Sequence, residues 1–367
     1  MSNTRGLTKV GRLDNLLYAA WLLICVLCMV YLFCFPPTQT IVVEDVAGDQ
    51  SGQKTNEQTA TDSIPLIFTK DATVQGMSIP LQNAIWTEHI VAENRYMAGE
   101  LWIYLTLTGE NDASLSFYEN NHITGADIGS LTGRVEVYEG GLLLKISFPQ
   151  IYEYKTTLMD NRLQVEWMTP TEVYDKIIVI DPAYGGEERG VISRGVAEKT
   201  INLEIAKLLK ARLDGSDVKV YYTRLEDTHV DAVDRYNLAK RVDADFIISI
   251  GVGADEQNPE DYGISGQYNP LYFIPYFGNV ELADCLTRQI CIAVSGKANG
   301  LVAVNEQDLS NDLLGFSTIP AARIQVGYLT NADERLLLQS AEYQDRIAAG
   351  IEAAITKAYQ QIEEIRP

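Results

Sequence analysis

Basic residues are scarce in this chain: 29 Lys and Arg stand against 50 Asp and Glu, a formal net charge of -21 over 367 residues. A chain so anionic repels phosphate backbones, which excludes nucleic acid as a partner. Cysteine is scarcer, with five in all, and Cys25, Cys28 and Cys34 share one apolar run near the N-terminus. The other two, Cys285 and Cys291, sit six apart in a predicted helix and face different sides. That leaves neither a disulfide framework nor a cysteine zinc site. Histidine is scarcest, with only His89, His122 and His229.

One long apolar run is present, residues 16–35, and it carries no charge. Twenty helical residues span about 30 Å, the thickness of a bilayer core. Arg5, Lys9 and Arg12 precede it, and Glu44, Asp45 and Asp49 follow. The basic flank stays in the cytoplasm, so the reading is a single-pass membrane protein with residues 1–15 as a cytoplasmic tail and its bulk extracytoplasmic. The alternative is a cleaved signal peptide. The run is long for one, and no small-x-small site follows Pro36-Pro37. A lipoprotein anchor is disfavoured because Leu23 and Ile24, before Cys25, are not small.

Residues 46–62 are polar and free of aromatics, too poor in apolar area to offset their ordering entropy. Residues 36–62 are therefore expected to form a flexible stalk. Residues 63–172 read as an all-β module, a small sandwich. Short alternating stretches occur at residues 100–108 (ELWIYLTLT), 114–118 (SLSFY), 134–138 (RVEVY), 142–148 (LLLKISF) and 162–167 (RLQVEW), with hairpin turns at Glu139-Gly140-Gly141 and Asp160-Asn161.

Residues 173–363 change period. Strands are predicted at residues 177–180, 218–222, 246–250, 271–274 and 322–326. Helices are predicted on the faces of Ile201, Ile205, Leu208 and Leu209, through Tyr236 and Leu238, around residues 282–292, and over residues 343–362 with Ile347, Ile351, Ile355 and Ile362 inward. Strands alternating with helices imply an α/β domain, a mostly parallel sheet covered on both faces. Ligands of such sheets sit beyond the carboxyl ends of the strands, where Tyr184, Gly251 and Gln325 fall, so these can line one crevice.

Seven blocks carry a family resemblance: residues 181–186 (DPAYGG), 198–209 (EKTINLEIAKLL), 222–228 (YTRLEDT), 235–239 (RYNLA), 244–250 (ADFIISI), 263–268 (GISGQY) and 319–331 (IPAARIQVGYLTN). In order and content this half of the chain resembles the zinc-dependent N-acetylmuramoyl-L-alanine amidase family (amidase 3 type). The β module resembles the wall-targeting AMIN domain in pattern only. The resemblance implies a zinc held by His, Glu and His, with a second Glu as base. At the matching positions this chain has Tyr184, Glu198, Gly251 and Gln325, and Ala183 replaces a glycine of the first motif. Only Glu198 is retained.

The chemistry of those residues agrees. A hydrolytic zinc needs about three protein ligands, chiefly His and carboxylate. A phenol with pKa near 10 is a poor one, glycine offers none, and an amide cannot take a proton from water. His89 and His122 belong to the β module, and His229 is expected to be exposed. Asp181, Asp255 and Glu256 lie near the crevice and could hold a hard cation loosely, against ordinary turn and cap duty. Glu198, at a helix start, could instead offset the helix dipole. Gln325 both donates and accepts, which suits a peptide stem or sugar. Tyr184, Tyr268 and Tyr272 could stack on sugars or pack at core and rim.

The expectation is therefore a degenerate, catalytically inactive amidase-like pseudoenzyme with no cofactor, the zinc being lost. It would bind peptidoglycan or a cell-wall protein from the membrane. The alternatives are an active amidase that cuts the MurNAc–L-Ala amide with a non-standard metal site, and a structural protein-interaction domain. Restoring Tyr184→His, Gly251→His and Gln325→Glu together is the reversal that would regain zinc.

Overall fold

The computed structural model describes residues 39–47, 63–82, 85–107, 115–138, 141–310 and 312–365. The expected tail and membrane span, residues 1–15 and 16–35, lie outside these. Among the described residues no helix is long and apolar enough to cross a membrane.

The N-terminal module contains β1 (Val43–Asp45), β2 (Ser63–Pro65), β3 (Phe68–Lys70), β4 (Met77–Pro80), β5 (Ile85–Arg95), β6 (Glu100–Leu107), β7 (Ile123–Gly125), β8 (Thr132–Tyr138), β9 (Gly141–Ser147), β10 (Glu153–Met159) and β11 (Arg162–Met168). One sheet has the order β1-β5-β6-β9-β8-β2, the other β10-β11-β4-β7-β3. Alternate residues supply the core between them: Leu101, Ile103 and Leu105 from β6, Leu142, Leu144 and Ile146 from β9, Leu163 and Val165 from β11. Asp160 and Asn161 take φ of 40° and 59°, as a two-residue hairpin turn requires.

Two expectations are corrected here. Of the strand expected at residues 114–118, the described part is not extended: Ser116–Asn120 is one helical turn, closed by Asn120 and Asn121 donating to the carbonyls of Ser116 and Phe117. Side-chain bonds of this kind offer the backbone an alternative to a ladder. Residues 39–47, expected within the stalk, are instead packed on the β module, while 36–38 and 48–62 lie outside the described residues. Gln39 bridges Leu158, β1 pairs in parallel with β5, and Ile41 and Ala47 are buried. The apolar run Ile41-Val42-Val43 supplies what the polar residues after it lack.

The second domain holds β12 (Ile177–Pro182), β13 (Ile192–Ser193), β14 (Val196–Ala197), β15 (Lys219–Tyr222), β16 (Phe246–Gly253), β17 (Ile264–Tyr268), β18 (Ala298–Ala303) and β19 (Ala321–Tyr328). Its helices include α1 (Glu198–Leu213), α2 (Ala232–Arg241), α3 (Asn279–Val294), α4 (Leu313–Phe316), α5 (Ala332–Leu338) and α6 (Ala341–Ile365). The sheet order is β15-β12-β16-β19-β17-β18. Every residue of β12 is buried, as are the first seven of β16, so both faces are covered. The sheet is mixed: β15, β12, β16 and β19 run parallel, while β17 is antiparallel to β19 and carries β18 with it.

The strand expected at residues 271–274 is a loop instead. Pro270 and Pro275 bracket it and cannot donate to a ladder, and Leu271 and Phe273 are exposed. The strand is β17, just before it.

The two domains meet at a buried joint. Tyr96, from the turn after β5, donates its hydroxyl to the Tyr222 carbonyl at 2.8 Å and accepts from the Tyr222 amide at 3.1 Å. Lys219 pairs with Asp45 at 2.6 Å and with Glu153 at 2.9 Å. Tyr96→Phe strands both backbone groups of Tyr222 in an apolar site. It should cost about 2–3 kcal/mol in urea denaturation; a loss under about 0.5 kcal/mol would show that the joint contributes little.

Candidate functional site

The carboxyl ends of β12, β16 and β19 assemble one crevice. Asp181 pairs in register with Ser249, Pro182 with Ile250, and Gly251 with Gln325. A cavity of about 350 Å³ opens there, lined by Asp181, Tyr184, Arg235, Asp312, Leu313 and Arg323 among others. A larger groove of about 710 Å³ adjoins it through Val230 and Asp231 and runs to Met97 and Ala98 of the β module.

The loop after β12 is held in an unusual path. Tyr184, Gly185 and Gly186 have φ of 64°, 145° and 56°. A Cβ on Gly185 would stand 2.0 Å from the Thr228 carbonyl oxygen, so only glycine fits. Two buried arginines fix this path through its carbonyls. Arg224, fully buried, donates to the carbonyls of Pro182, Ala183, Lys199 and Glu226. Burial lowers its pKa to about 10. Arg235 donates to the carbonyls of Pro182, Tyr184 and Val230 and pairs with Asp181 at 2.5 Å.

The Asp181 carboxylate also accepts from Thr223 and Ser249, each at 2.7 Å. Burial works against its charge, but Arg235 and these donors outweigh it and hold the carboxyl below its ordinary range. Asp181 is thus committed to a network rather than free for a cation. Asp255 accepts from the amides of Gln257 and Asn258, which is turn duty.

Glu198 is the first residue of α1 and is 3% exposed. Its carboxylate is held by Asn202 one turn on in α1 and by two backbone amides from outside the helix. One oxygen accepts from the Val191 amide at 3.0 Å and the other from the Val252 amide at 2.7 Å. It ties the loop before β13 to the end of β16. Burial pushes its pKa up, against the pull of those two amides and of Arg323. Tyr184 leans on the same spot: its ring and a Glu198 oxygen both lie 2.6 Å from where a Cβ on Gly190 would be. Burial and then the Glu198 charge push the Tyr184 phenol above its ordinary value, further from a phenolate ligand.

Gln325 accepts from Gln267 Nε2 at 3.1 Å, and its own amide nitrogen is buried without a partner. Tyr268 and Tyr272 do not reach the crevice. Tyr268 pairs with Ala322, near the start of β19, and the antiparallel course of β17 carries Tyr272 to the opposite end of the sheet. His229 is exposed at the rim, bonded to Asp231. His122 bonds Thr69 within the β module.

The residues that reading by sequence missed are Arg224, Arg235 and Arg323. Arg323 is 21% exposed in its side chain, pairs with Asp312 at 2.8 Å and stands beside Gly251. All three lie inside the quoted blocks, but an arginine whose partners are backbone carbonyls or a distant carboxylate leaves no spacing signature. The donor set does not fit zinc. Both Glu198 oxygens are engaged, Gly251 has no side chain, and among the described residues no group of three or more His, Cys, Asp or Glu is placed to hold a metal.

A mostly parallel sheet with a crevice at the carboxyl ends of its strands defines an α/β domain with a ligand site in the usual place for such sheets. Residues 178–357 match the model of the N-acetylmuramoyl-L-alanine amidase family, Amidase_3, and amidases of that name align over the same half of the chain, which supports this family for the domain. The chain is 25% identical over 187 residues to the amidase LytC of Bacillus subtilis, covering 51% of this chain and 36% of LytC. It is 27% identical over 212 residues to the probable amidase AmiB of Haemophilus influenzae, covering 47% and 49%. Among solved structures it is similar to an N-acetylmuramoyl-L-alanine amidase from Clostridium difficile 630, with 29% identity, a TM-score of 0.46, and 52% and 98% of the two chains covered. It is also similar to the CwlD amidase of Clostridioides difficile, solved in complex with the GerS lipoprotein, with 25% identity, a TM-score of 0.43, and 51% and 99% covered. The match spans a third to a half of the length of the first curated relatives.

Proposed function

We propose that this protein is a catalytically inactive member of the amidase family, a pseudoenzyme that binds peptidoglycan or a cell-wall partner without cutting it. The observation that carries the reading is the crevice itself, where Tyr184, Gly251 and Gln325 stand at the family's reactive positions and Glu198 is used up on backbone amides. A site so built lowers no water pKa and offers no base, so amide hydrolysis has neither its electrophile nor its proton acceptor. On this reading a ligand carbonyl that displaced the packing around Gln325 would satisfy its buried, unpartnered amide nitrogen. Gln325→Leu should weaken sedimentation with purified peptidoglycan about tenfold while changing stability by under about 1 kcal/mol. Unaltered sedimentation would remove Gln325 from the ligand contacts.

Residues 16–35 are read as the membrane anchor. Only Pro36, Pro37 and Thr38 separate that run from Gln39, which is bridged to Leu158. Three residues reach about 10 Å at most. On this reading the β module stands close to the bilayer and spaces the α/β domain from it. The full chain should then fractionate with membranes and a chain lacking residues 16–35 should not; a soluble full chain would contradict the anchor.

A second reading, a structural interaction domain, has one feature in its favour. Leu271, Phe273 and Tyr276 are 63%, 85% and 79% exposed at the end of the sheet away from the crevice. Such a cluster of large apolar side chains suits contact with a protein. Loss of partner capture on Phe273→Ser, with peptidoglycan sedimentation absent in the parent chain, would favour this reading.

A further inference from the structure

We infer that Arg323 is the resident cation of the crevice: its guanidinium supplies the positive charge beside Glu198 and bars a divalent ion even when the missing donors are put back. The inference rests on the lost metal site proposed above and adds what has taken its place.

Arg323 lies two residues before Gln325 on β19, so both side chains leave the same side of the strand. Its Cδ is 3.2 Å from where a Cβ on Gly251 would stand, and a Glu198 oxygen is at the same distance from that point. Any side chain placed at residue 251 therefore meets the arginine stem and the carboxylate before it meets anything else. The guanidinium is anchored. It pairs with Asp312 at 2.8 Å, and its Nε lies 3.4 Å from Ser249 Oγ, which in turn donates to Asp181. Asp312 is held by the Leu314 amide at the start of α4, so the pair also ties β19 to that helix. The same charge pulls the Glu198 carboxyl and the Tyr184 phenol down against burial, as a metal would.

Two consequences follow for metal entry. A divalent ion at this point would meet the arginine stem, whose Cδ stands 3.2 Å from the Gly251 Cβ position, and the like charge of a guanidinium held in place by Asp312. It would also have to take Glu198 from two amides that the guanidinium leaves bonded. Restoring the two histidines and the catalytic glutamate supplies donors but removes neither obstacle.

The test compares full chains equilibrated with zinc and then freed of unbound ion. They are the wild type, the triple variant Tyr184→His, Gly251→His, Gln325→Glu, that triple with Arg323→Lys, and the triple with Arg323→Met and Asp312→Asn, which leaves no unpaired carboxylate. Folding is checked by circular dichroism. We expect no retained zinc in the triple or its lysine form, and about one zinc per chain in the methionine form. A role that is merely structural would not separate lysine from methionine in this way. Zinc held by the triple with Arg323 in place overturns the inference, as does a folded methionine form that stays empty. If the methionine form does not fold, the triple with Arg323→Gln stands in, under the same two outcomes. Zinc in the wild type would break the lost-metal reading itself, whereas zinc in the triple alone breaks only this one.

Discussion

Replacing Asp181 by alanine should cost about 3–5 kcal/mol of stability, because it leaves the buried Arg235 guanidinium without its counter-charge. The carboxylate sits at the end of β12 and is the meeting point of Arg235, Thr223 and Ser249, which come from three other segments. Removing it strands one charge and two hydroxyls among residues that exclude water. Urea denaturation of the variant against the wild type measures the loss. A change below about 1 kcal/mol would show that water reaches Arg235 and that the network is not closed. The same group sets a pH dependence. Its folded pKa lies below the ordinary value of 3.8, so its contribution is complete at higher pH, where the carboxyl is ionised in both states. The contribution fades as pH falls through the lower folded value. The wild type should therefore lose stability below about pH 4 more steeply than Asp181→Asn does.

Arg224→Met should be nearly as damaging, at about 3–4 kcal/mol. The guanidinium serves four carbonyls, three of which belong to the end of β12, the crevice loop and α1. Methionine fills much of the volume and bonds none of them. The effect should be local as well as global: amide exchange of Gly185 and Gly186 should rise more than that of the β12 interior. Uniform exchange across the domain would mean that the arginine only fills space. Arg224→Lys should recover little, since an ammonium cannot span four acceptors with a planar fork.

Much of this architecture was legible in the sequence, for physical reasons that differ by element. The buried strand β12 announces itself as a run of β-branched residues ended by Asp181-Pro182, and α6 by isoleucines at helical spacing. Tyr184, Gly251 and Gln325 were readable as neighbours because parallel strands deliver their carboxyl ends to one edge. The reversed strand β17 was not, since direction leaves no mark on a period of two. Nor was β18, whose residues are mostly exposed and show no alternation. The roles of Arg224, Arg235 and Arg323 depend on which carbonyls and carboxylates the fold brings to them, and spacing does not encode that. The bonds of Glu198 to the Val191 and Val252 amides were not legible, since they come from segments that only the fold brings to it.

Melting of the full chain with and without a strong chelator gives a first check, and no shift is expected from a domain that folds without metal. The most direct one pairs two readings on the same preparation: zinc content, and release of muropeptides from purified peptidoglycan. The account predicts a chain that carries no zinc and releases nothing while still sedimenting with the polymer. Stoichiometric zinc together with cleavage of the amide bond would contradict it.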